Sequence, residues 1–167
     1  TNNACLAENA RVFRNYGSEK RYYNKVVGAN SRLDEIQAGL LNIRLAHMAE
    51  ITAERRLLAD RYSAGITAKD LVLPMERECT QSVWHQYVIR TSRRQELMDY
   101  LAKREIGTLI HYPIPPHLAQ AYAGLGHKRG ELPITEEYAA TVLSLPMYTG
   151  MRVEEQQYIL ECLNSFS

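Results

Sequence analysis

The chain has 167 residues, 46% of them apolar and 23% charged, with a formal net charge of +1. That length suits one domain, or one domain with a piece of another. The even charge gives no electrostatic case for nucleic acid or a membrane surface as partner.

Cys5, Cys79 and Cys162 are widely spaced and show neither a metal-ligand pattern nor a disulfide framework, so a reducing, cytoplasmic setting is expected. No apolar run approaches the roughly 20 residues of a membrane helix. The start, TNNACLAENARVF, lacks the charged, apolar and small-residue sections of a signal peptide. Without an initiator Met, the chain is expected to be cut from something longer. Eleven tyrosines stand against two phenylalanines. Tyrosine offers a large contact surface with a polar tip, so most are expected at the edge of a thin core.

Residues 4–16 carry Leu6, Ala10 and Phe13 at helical spacing, and Asn15 and Gly17 supply a stop. Residues 18–29 form a polar loop without a clear period, either held by something else or mobile. A second helix is predicted from Ser31, which with Asp34 has the spacing of a capping box. Leu33, Ile36, Leu40 and Ile43 form one apolar stripe; Leu41, Leu45 and Met48 form a neighbouring one. Together they are too wide for a one-sided surface helix. The pattern runs on through Ile51, Leu57, Leu58 and Tyr62 to Gly65, with room for a bend. Gly39 costs about 1 kcal/mol relative to Ala inside a helix, and close approach of another backbone is expected to explain it.

Beyond a polar connection at residues 74–81, residues 83–91 (VWHQYVIRT) read as a strand, with His85 and Tyr87 on one face and Trp84 on the other. Ser92 is the predicted cap of a helix with Leu97, Met98 and Leu101 inward. Residues 106–112 (IGTLIHY) read as a second strand, ended by the prolines of PIPPH. A short helix at 118–122, a Gly-rich loop at 124–130 and a helix capped by Thr135 follow. A short strand at 145–148 precedes a last helix at 153–163, anchored by Val153, Tyr158, Ile159, Cys162 and Leu163. The second half thus reads as a small α+β layer. The first half reads as an incomplete domain, because its long apolar helix has no sheet of its own.

Two constellations could carry chemistry. At residues 30–37 a helix start presents free N–H groups and a positive dipole end suited to phosphate. Asn30 could add an amide donor and Arg32 a fork for an acidic group; the plainer alternative is a turn residue and a surface charge. At residues 110–117 (IHYPIPPH), His111 and Tyr112 could donate to a polar ligand from a rigid extended segment, or form a structural turn. A metal site is not expected, because His111 and His117 share no helix face and have no acidic or Cys neighbour. No nucleophile stands beside a base, and no Gly-rich phosphate loop or dinucleotide fingerprint appears.

Seven segments, RNYGSEKRYYN, GANSRLDEIQAGLL, the stretch from Arg55 to Tyr62, SVWHQYVIR, GTLIHYPIPPH, ELPITEEYA and LSLPMY, resemble in order the C-terminal part of the DegT/DnrJ/EryC1/StrS family. The resemblance implies an α/β fold of the aspartate aminotransferase type and a pyridoxal phosphate (PLP)-dependent sugar aminotransferase. Residues 1–30 would end the large PLP-binding domain, residues 31–66 form the connecting helix, and residues 67–167 form the small C-terminal α+β domain. The family's Schiff-base lysine would lie before residue 1, so no catalytic residue is expected in this chain. Lys20, Lys25, Lys69, Lys103 and Lys128 lack its Ser-Phe context. Asn30 matches the residue that reaches the phosphate of the partner subunit's PLP, which implies a homodimer with active sites at the subunit interface. His111 and Tyr112 match the wall of the nucleotide-sugar pocket. Lys20, Arg21, Tyr22 and Tyr23 match a loop near the active site, with Lys20 and Tyr22 as candidate substrate contacts. The GTLIHYP form is similar to enzymes that aminate C3 of a dTDP-linked 3-keto-6-deoxyhexose, with glutamate as donor. Two alternatives remain: a sugar dehydratase of the same family with His in place of the lysine, and a non-catalytic dimerising or binding fragment.

Overall fold

The computed structural model describes residues 1–20 and 22–166. The chain forms two compact units, Thr1–Met48 and Ala49–Ser167.

The first unit opens with α1 (Ala4–Arg14), whose N-cap Asn3 accepts the Leu6 N–H at 3.0 Å. Val12 is its buried residue, whereas Leu6 and Phe13 stay exposed. The segment after it is an ordered hairpin rather than a loop without structure. β1 (Ser18–Lys20) pairs antiparallel with β2 (Tyr23–Asn24). Lys25 N–H donates to Gly17 O at 2.8 Å, Asn24 Nδ2 donates to Tyr16 O at 2.6 Å, and Lys25 pairs with Glu19. These bonds bring the chain close to itself. A Cβ on Gly17 (φ +74°) would stand 1.8 Å from Val26 O, and one on Gly28 would stand 2.1 Å from Gly17 N. Only glycine fits such a crossing.

α2 (Glu35–Ala46) starts three residues later than the capping-box spacing predicts, with its N-cap at residue 34 rather than 31. Residues 30 and 31 are drawn into extended pairing instead: Asn30 bridges Asn15, and Ser31 N–H donates to Arg14 O at 2.9 Å. Asp34 becomes the N-cap, with its backbone carbonyl accepting Ala38 N–H at 2.8 Å and no side-chain cap bond. The predicted long helix is two helices, because His47 leaves helical geometry (φ −101°, ψ 8°) before α3 (Met48–Gly65) begins. Neither glycine nor proline marks that break. No residue of α2 is buried, and Ile36 is 81% exposed. A Cβ on Gly39 would meet nothing within 4 Å, so the expected backbone approach is not found among the described residues.

The second unit holds the core. Leu58, Ala59 and Tyr62 of α3 are buried together with residues of β3 (Tyr87–Arg90), α4 (Arg94–Ala102), β4 (Val142–Leu145) and α6 (Val153–Asn164). Strands β3 and β4 pair antiparallel, Tyr87 opposite Leu145 and Ile89 opposite Leu143. Single bridges extend this sheet at both edges, Val72 with Arg90 and Leu109 with Ser144. The predicted strand at 106–112 is therefore reduced to one bridge. Alternation points Tyr87, Ile89, Leu143 and Leu145 into the core, and Val88, Arg90, Val142 and Ser144 to the opposite face.

Several predicted boundaries shift for identifiable reasons. The strand expected at 83–91 starts only at Tyr87, because α3 fastens the segment before it: Arg55 Nη1 donates to the carbonyls of Trp84 and His85, and Arg56 Nε to that of Ser82. Trp84 and Tyr87 pack together with ring centroids 5.5 Å apart rather than facing opposite ways. Thr91, not Ser92, supplies the side-chain oxygen before α4, accepting the Arg93 N–H at 3.2 Å. α5 (Pro133–Thr141) begins on Pro133, whose fixed φ suits a first helical position, so Thr135 lies inside it. β4 follows α5 directly, three residues before the predicted strand, and Pro146 ends it. All four of its residues are buried, so it shows no alternating polarity. The short helix at 118–122 is two 3-10 turns, Pro116–Leu118 and Gln120–Leu125.

In α6 the anchors Ile159, Cys162 and Leu163 are buried, but Val153 and Tyr158 are exposed, and Gln156 and Leu160 take the inner positions. Gln156 Nε2 donates to Leu58 O at 2.7 Å, tying α6 to α3 inside the core. Two tyrosines are central rather than peripheral. Tyr62 and Tyr87 are fully buried with ring centroids 5.0 Å apart. Burial raises both phenols above the ordinary value, and the nearby Tyr148 and Tyr87 push Tyr62 further.

Candidate functional site

The sequence-marked residues fall in both units. In the first, Asn15, Tyr16, Ser18, Tyr22, Asn24 and Arg32 line a cleft of about 390 Å³. Asn30 stands beside it. Its backbone is fixed by the bridge to Asn15, and its exposed side chain accepts a bond from Arg32 Nε through Oδ1 at 3.3 Å. Because the guanidinium can only donate, it claims the amide oxygen and leaves the two Nδ2 hydrogens for an outside acceptor. Arg32 also lies over the Tyr16 ring, 5.9 Å from its centroid. Asn30 is thus presented by an extended bridge, not by the helix start that its spacing suggested; α2 begins five residues later.

Tyr22 lies at the hairpin turn with φ +72° and lines this cleft. Lys20 does not line it; its ammonium sits over the Tyr23 ring, 5.2 Å from the centroid. Arg21, singled out with them in the sequence, lies outside the described residues.

In the second unit, His111, Tyr112, Ile114, Pro115, Pro116, Ile134, Thr135, Tyr138, Ala139 and Val142 line a cleft of about 280 Å³. The 3-10 turn after Pro115 and the proline-rigid segment before it form one wall, and α5 forms the other. His111 is half-buried, with Nδ1 2.8 Å from Ser144 Oγ, and its ring meets that of Tyr112 edge-on at 5.5 Å. Tyr112 is 73% exposed at the mouth. Tyr138 is backed by Arg90, whose guanidinium stacks 4.3 Å from the ring centroid and pairs with Glu137 at 3.0 Å.

Behind this cleft a second histidine organises the loop after the prolines. His117 is buried, its Nε2 3.1 Å from Glu136 Oε1, and the same oxygen accepts the Gly130 N–H at 2.7 Å. The His117 bond holds the Glu136 carboxyl below its ordinary range, aided by the Gly130 and Leu132 N–H groups. His127 does the same for Glu131 at 2.9 Å.

Sequence reasoning missed Thr135 and Tyr138, which line the cleft, and Ser144 and Arg90, which back His111 and Tyr138. Thr135 was assigned to a cap. Ser144 and Arg90 would have emerged from correct strand register, since both lie on the face opposite the core. Among the described residues no group of three or more His, Cys, Asp or Glu could hold a metal ion. All five lysines are exposed, and Lys25 is paired with Glu19.

Comparison with known proteins covers nearly the whole chain. The sequence profile of the DegT/DnrJ/EryC1/StrS aminotransferase family matches residues 1–164. A pleiotropic regulatory protein of Geobacillus stearothermophilus is 42% identical over 99% of this chain and 45% of its own length. The dTDP-3-amino-3,4,6-trideoxy-alpha-D-glucose transaminase of Streptomyces venezuelae is 46% identical over 91% of this chain and 40% of its own. The dTDP-3-amino-3,6-dideoxy-alpha-D-galactopyranose transaminase of Aneurinibacillus thermoaerophilus is 41% identical over 99% and 45%. Among solved structures, S. venezuelae DesV in complex with a ketimine intermediate superposes with a TM-score of 0.89 at 41% identity, over 98% of this chain and 44% of that one. NtdA from Bacillus subtilis, with bound cofactor PMP, superposes at 0.82 and 27% identity over 98% and 40%. The fold is therefore that of the α/β aminotransferases dependent on pyridoxal phosphate. The chain spans less than half the length of these relatives.

Proposed function

The chain belongs to the DegT/DnrJ/EryC1/StrS aminotransferase family, and on that premise we propose that it is the C-terminal portion of a PLP-dependent enzyme that transfers an amino group from glutamate to C3 of a dTDP-linked 3-keto-6-deoxyhexose. The observation that supports this is 46% and 41% identity, over 91% and 99% of this chain, to parts of two transaminases of dTDP-3-amino sugars. Residues 1–30 are then the end of the large domain, 31–66 the connecting segment and 67–167 the small domain.

Bound pyridoxal phosphate supplies the electron sink for amino-group transfer. The residues of this chain fit the parts of that task assigned to them. Asn30 keeps both amide hydrogens for a phosphate, with Arg32 adding positive charge beside it. In a homodimer that phosphate belongs to the partner subunit's cofactor. The broadly exposed apolar surface of α2 supports a second copy as its cover. His111 and Tyr112 hydrogen-bond the nucleotide sugar, while the proline wall and Tyr138 exclude water from it. Tyr22, which lines the hairpin cleft, is the hairpin's proposed substrate contact, and Lys20 would join it on leaving the Tyr23 ring. The lysine that binds the cofactor is supplied by the segment preceding residue 1. We place the enzyme in the cytoplasm, where exposed thiols such as Cys5 and Cys79 stay reduced. No helix among the described residues is long and apolar enough to cross a membrane.

Two measurements test the reading. The complete protein should aminate a dTDP-3-keto-6-deoxyhexose with glutamate, and failure on that substrate class overturns the substrate assignment. The 167-residue chain, given PLP and then borohydride, should trap no adduct. A stoichiometric adduct on one of its five lysines would show that the catalytic lysine is here after all.

A further inference from the structure

Ser144 lies in the LSLPMY segment, where no role was assigned to it, yet its geometry constrains what His111 can offer. It lies on β4, on the sheet face turned away from the core, and it is buried. Its backbone is spent on Leu109: Ser144 N–H donates to Leu109 O at 2.8 Å, and Leu109 N–H donates to Ser144 O at 3.3 Å. Its hydroxyl has one partner among the described residues, His111 Nδ1 at 2.8 Å.

That single bond can run either way. If Nδ1–H donates to Ser144 Oγ, the hydroxyl proton is left buried without an acceptor, which carries the full desolvation cost of that group. If the hydroxyl donates to Nδ1, its proton is satisfied and only spare lone pairs remain, which is the cheaper arrangement. A neutral imidazole that accepts at Nδ1 must carry its proton on Nε2. Nδ1 is tied inward to the strand, so Nε2 is the nitrogen left to the cleft.

We propose that Ser144 is a positioning residue that locks neutral His111 as its Nε2–H tautomer and so makes the cleft-facing nitrogen a hydrogen-bond donor for an acceptor oxygen of the substrate. The Nε2–H group suits a diphosphate or carbonyl oxygen and disfavours a hydroxyl that must donate. The other side chains around it keep this role simple. Tyr112 and Thr135 bring hydroxyls, and the charged pair Arg90–Glu137 lies behind Tyr138. The ligand part of the inference rests on the function proposed above, whereas the tautomer does not.

The test is two-dimensional NMR of imidazole-15N-labelled chain in mildly alkaline solution, where imidazole is neutral. Wild-type His111 should show the Nε2–H pattern. Ser144→Ala should shift it toward the tautomer mixture of free imidazole, and Ser144→Thr, which keeps the hydroxyl, should restore it. An Nδ1–H pattern in the wild type overturns the inference without touching the family's reaction, and needs no variant to fold. In the complete enzyme, S144A should raise KM for the sugar nucleotide about tenfold, the loss of one well-placed hydrogen bond. It should leave kcat within a few-fold, with rescue by S144T. An unchanged KM alongside a shifted tautomer overturns the ligand role. A wild-type enzyme that fails to transaminate at all sinks the proposed function and leaves the tautomer to be decided by NMR.

Discussion

The two units use similar numbers of apolar side chains per helix to opposite ends. In the second unit, Leu58, Tyr62, Leu97, Leu101, Leu143 and Leu163 are all 2% exposed or less. In the first, Leu33, Ile36, Leu40, Leu41, Ile43 and Leu45 of the α2 region are all more than half exposed. Apolar periodicity makes a helix in both; only one has found something to bury it against. Hydrophobic pattern therefore reports where a partner surface is needed, not whether this chain provides it.

The contrast predicts its largest effect in the core. Leu143→Ala should destabilise the chain by about 2–5 kcal/mol, the range for emptying a packed site. Ile36→Ala, on α2, should change the stability of the monomeric chain by no more than about 0.5 kcal/mol. Urea unfolding of the two variants side by side gives the comparison. Equal losses would mean that α2 is covered in solution, and light scattering would then have to show a defined oligomer.

The first unit has its own point of rigidity, and it is not apolar. Gly17→Ala should cost more than about 1 kcal/mol locally, because φ is positive and Val26 O blocks the new methyl. Amide exchange at Lys25 and Ala29 should quicken while the β3–β4 amides keep their protection. If both units lose protection together, they unfold as one cooperative body and the comparison fails.

A smaller effect separates packing from hydrogen bonding within the core. Tyr62 OH donates to Pro146 O at 2.7 Å, at the point where β4 ends. Tyr62→Phe keeps the ring against Tyr87 and strands that carbonyl, for a loss of about 1 kcal/mol. A loss approaching that of Leu143→Ala would show that the proline turn itself depends on this bond.

The same contrast explains what was legible in the sequence. Helix α3 and the inward faces of α4 and α6 follow a 3.6-residue period, and Leu97, Leu101, Ile159 and Leu163 could be placed inside from it. β4 could not, because a strand buried on both faces has no alternation to read. The start of α2 was misplaced because Ser31 is claimed by a distant carbonyl, that of Arg14, and no local spacing records that. Asn30, His111 and Tyr112 stood out by residue type and resemblance. Ser144 and Arg90 were hidden because their roles depend on strand register, which is set by the partner strand. The break at His47 carries no local signal at all.

The smallest effect concerns charge. Among the described residues three carboxylates are held below their ordinary range, Glu131, Glu136 and Glu155, and all three lie in the second unit. Glu155 is held by the Arg152 N–H at the start of α6, then by the Arg152 guanidinium and the Tyr148 hydroxyl. A carboxyl with a depressed folded pKa adds stability that is complete above its unfolded value and is lost as pH falls through the folded one. Acid should therefore loosen the second unit below the ordinary carboxylate range, in part where α6 is capped. Glu155→Gln removes that titration: melting midpoints followed by circular dichroism should sit slightly lower at neutral pH and converge on the wild type in acid. Wild-type and variant curves that stay parallel down the acid limb would place the pH dependence elsewhere. The two histidine-held carboxylates, Glu131 and Glu136, beside the loop behind the His111 cleft, would be the next to test.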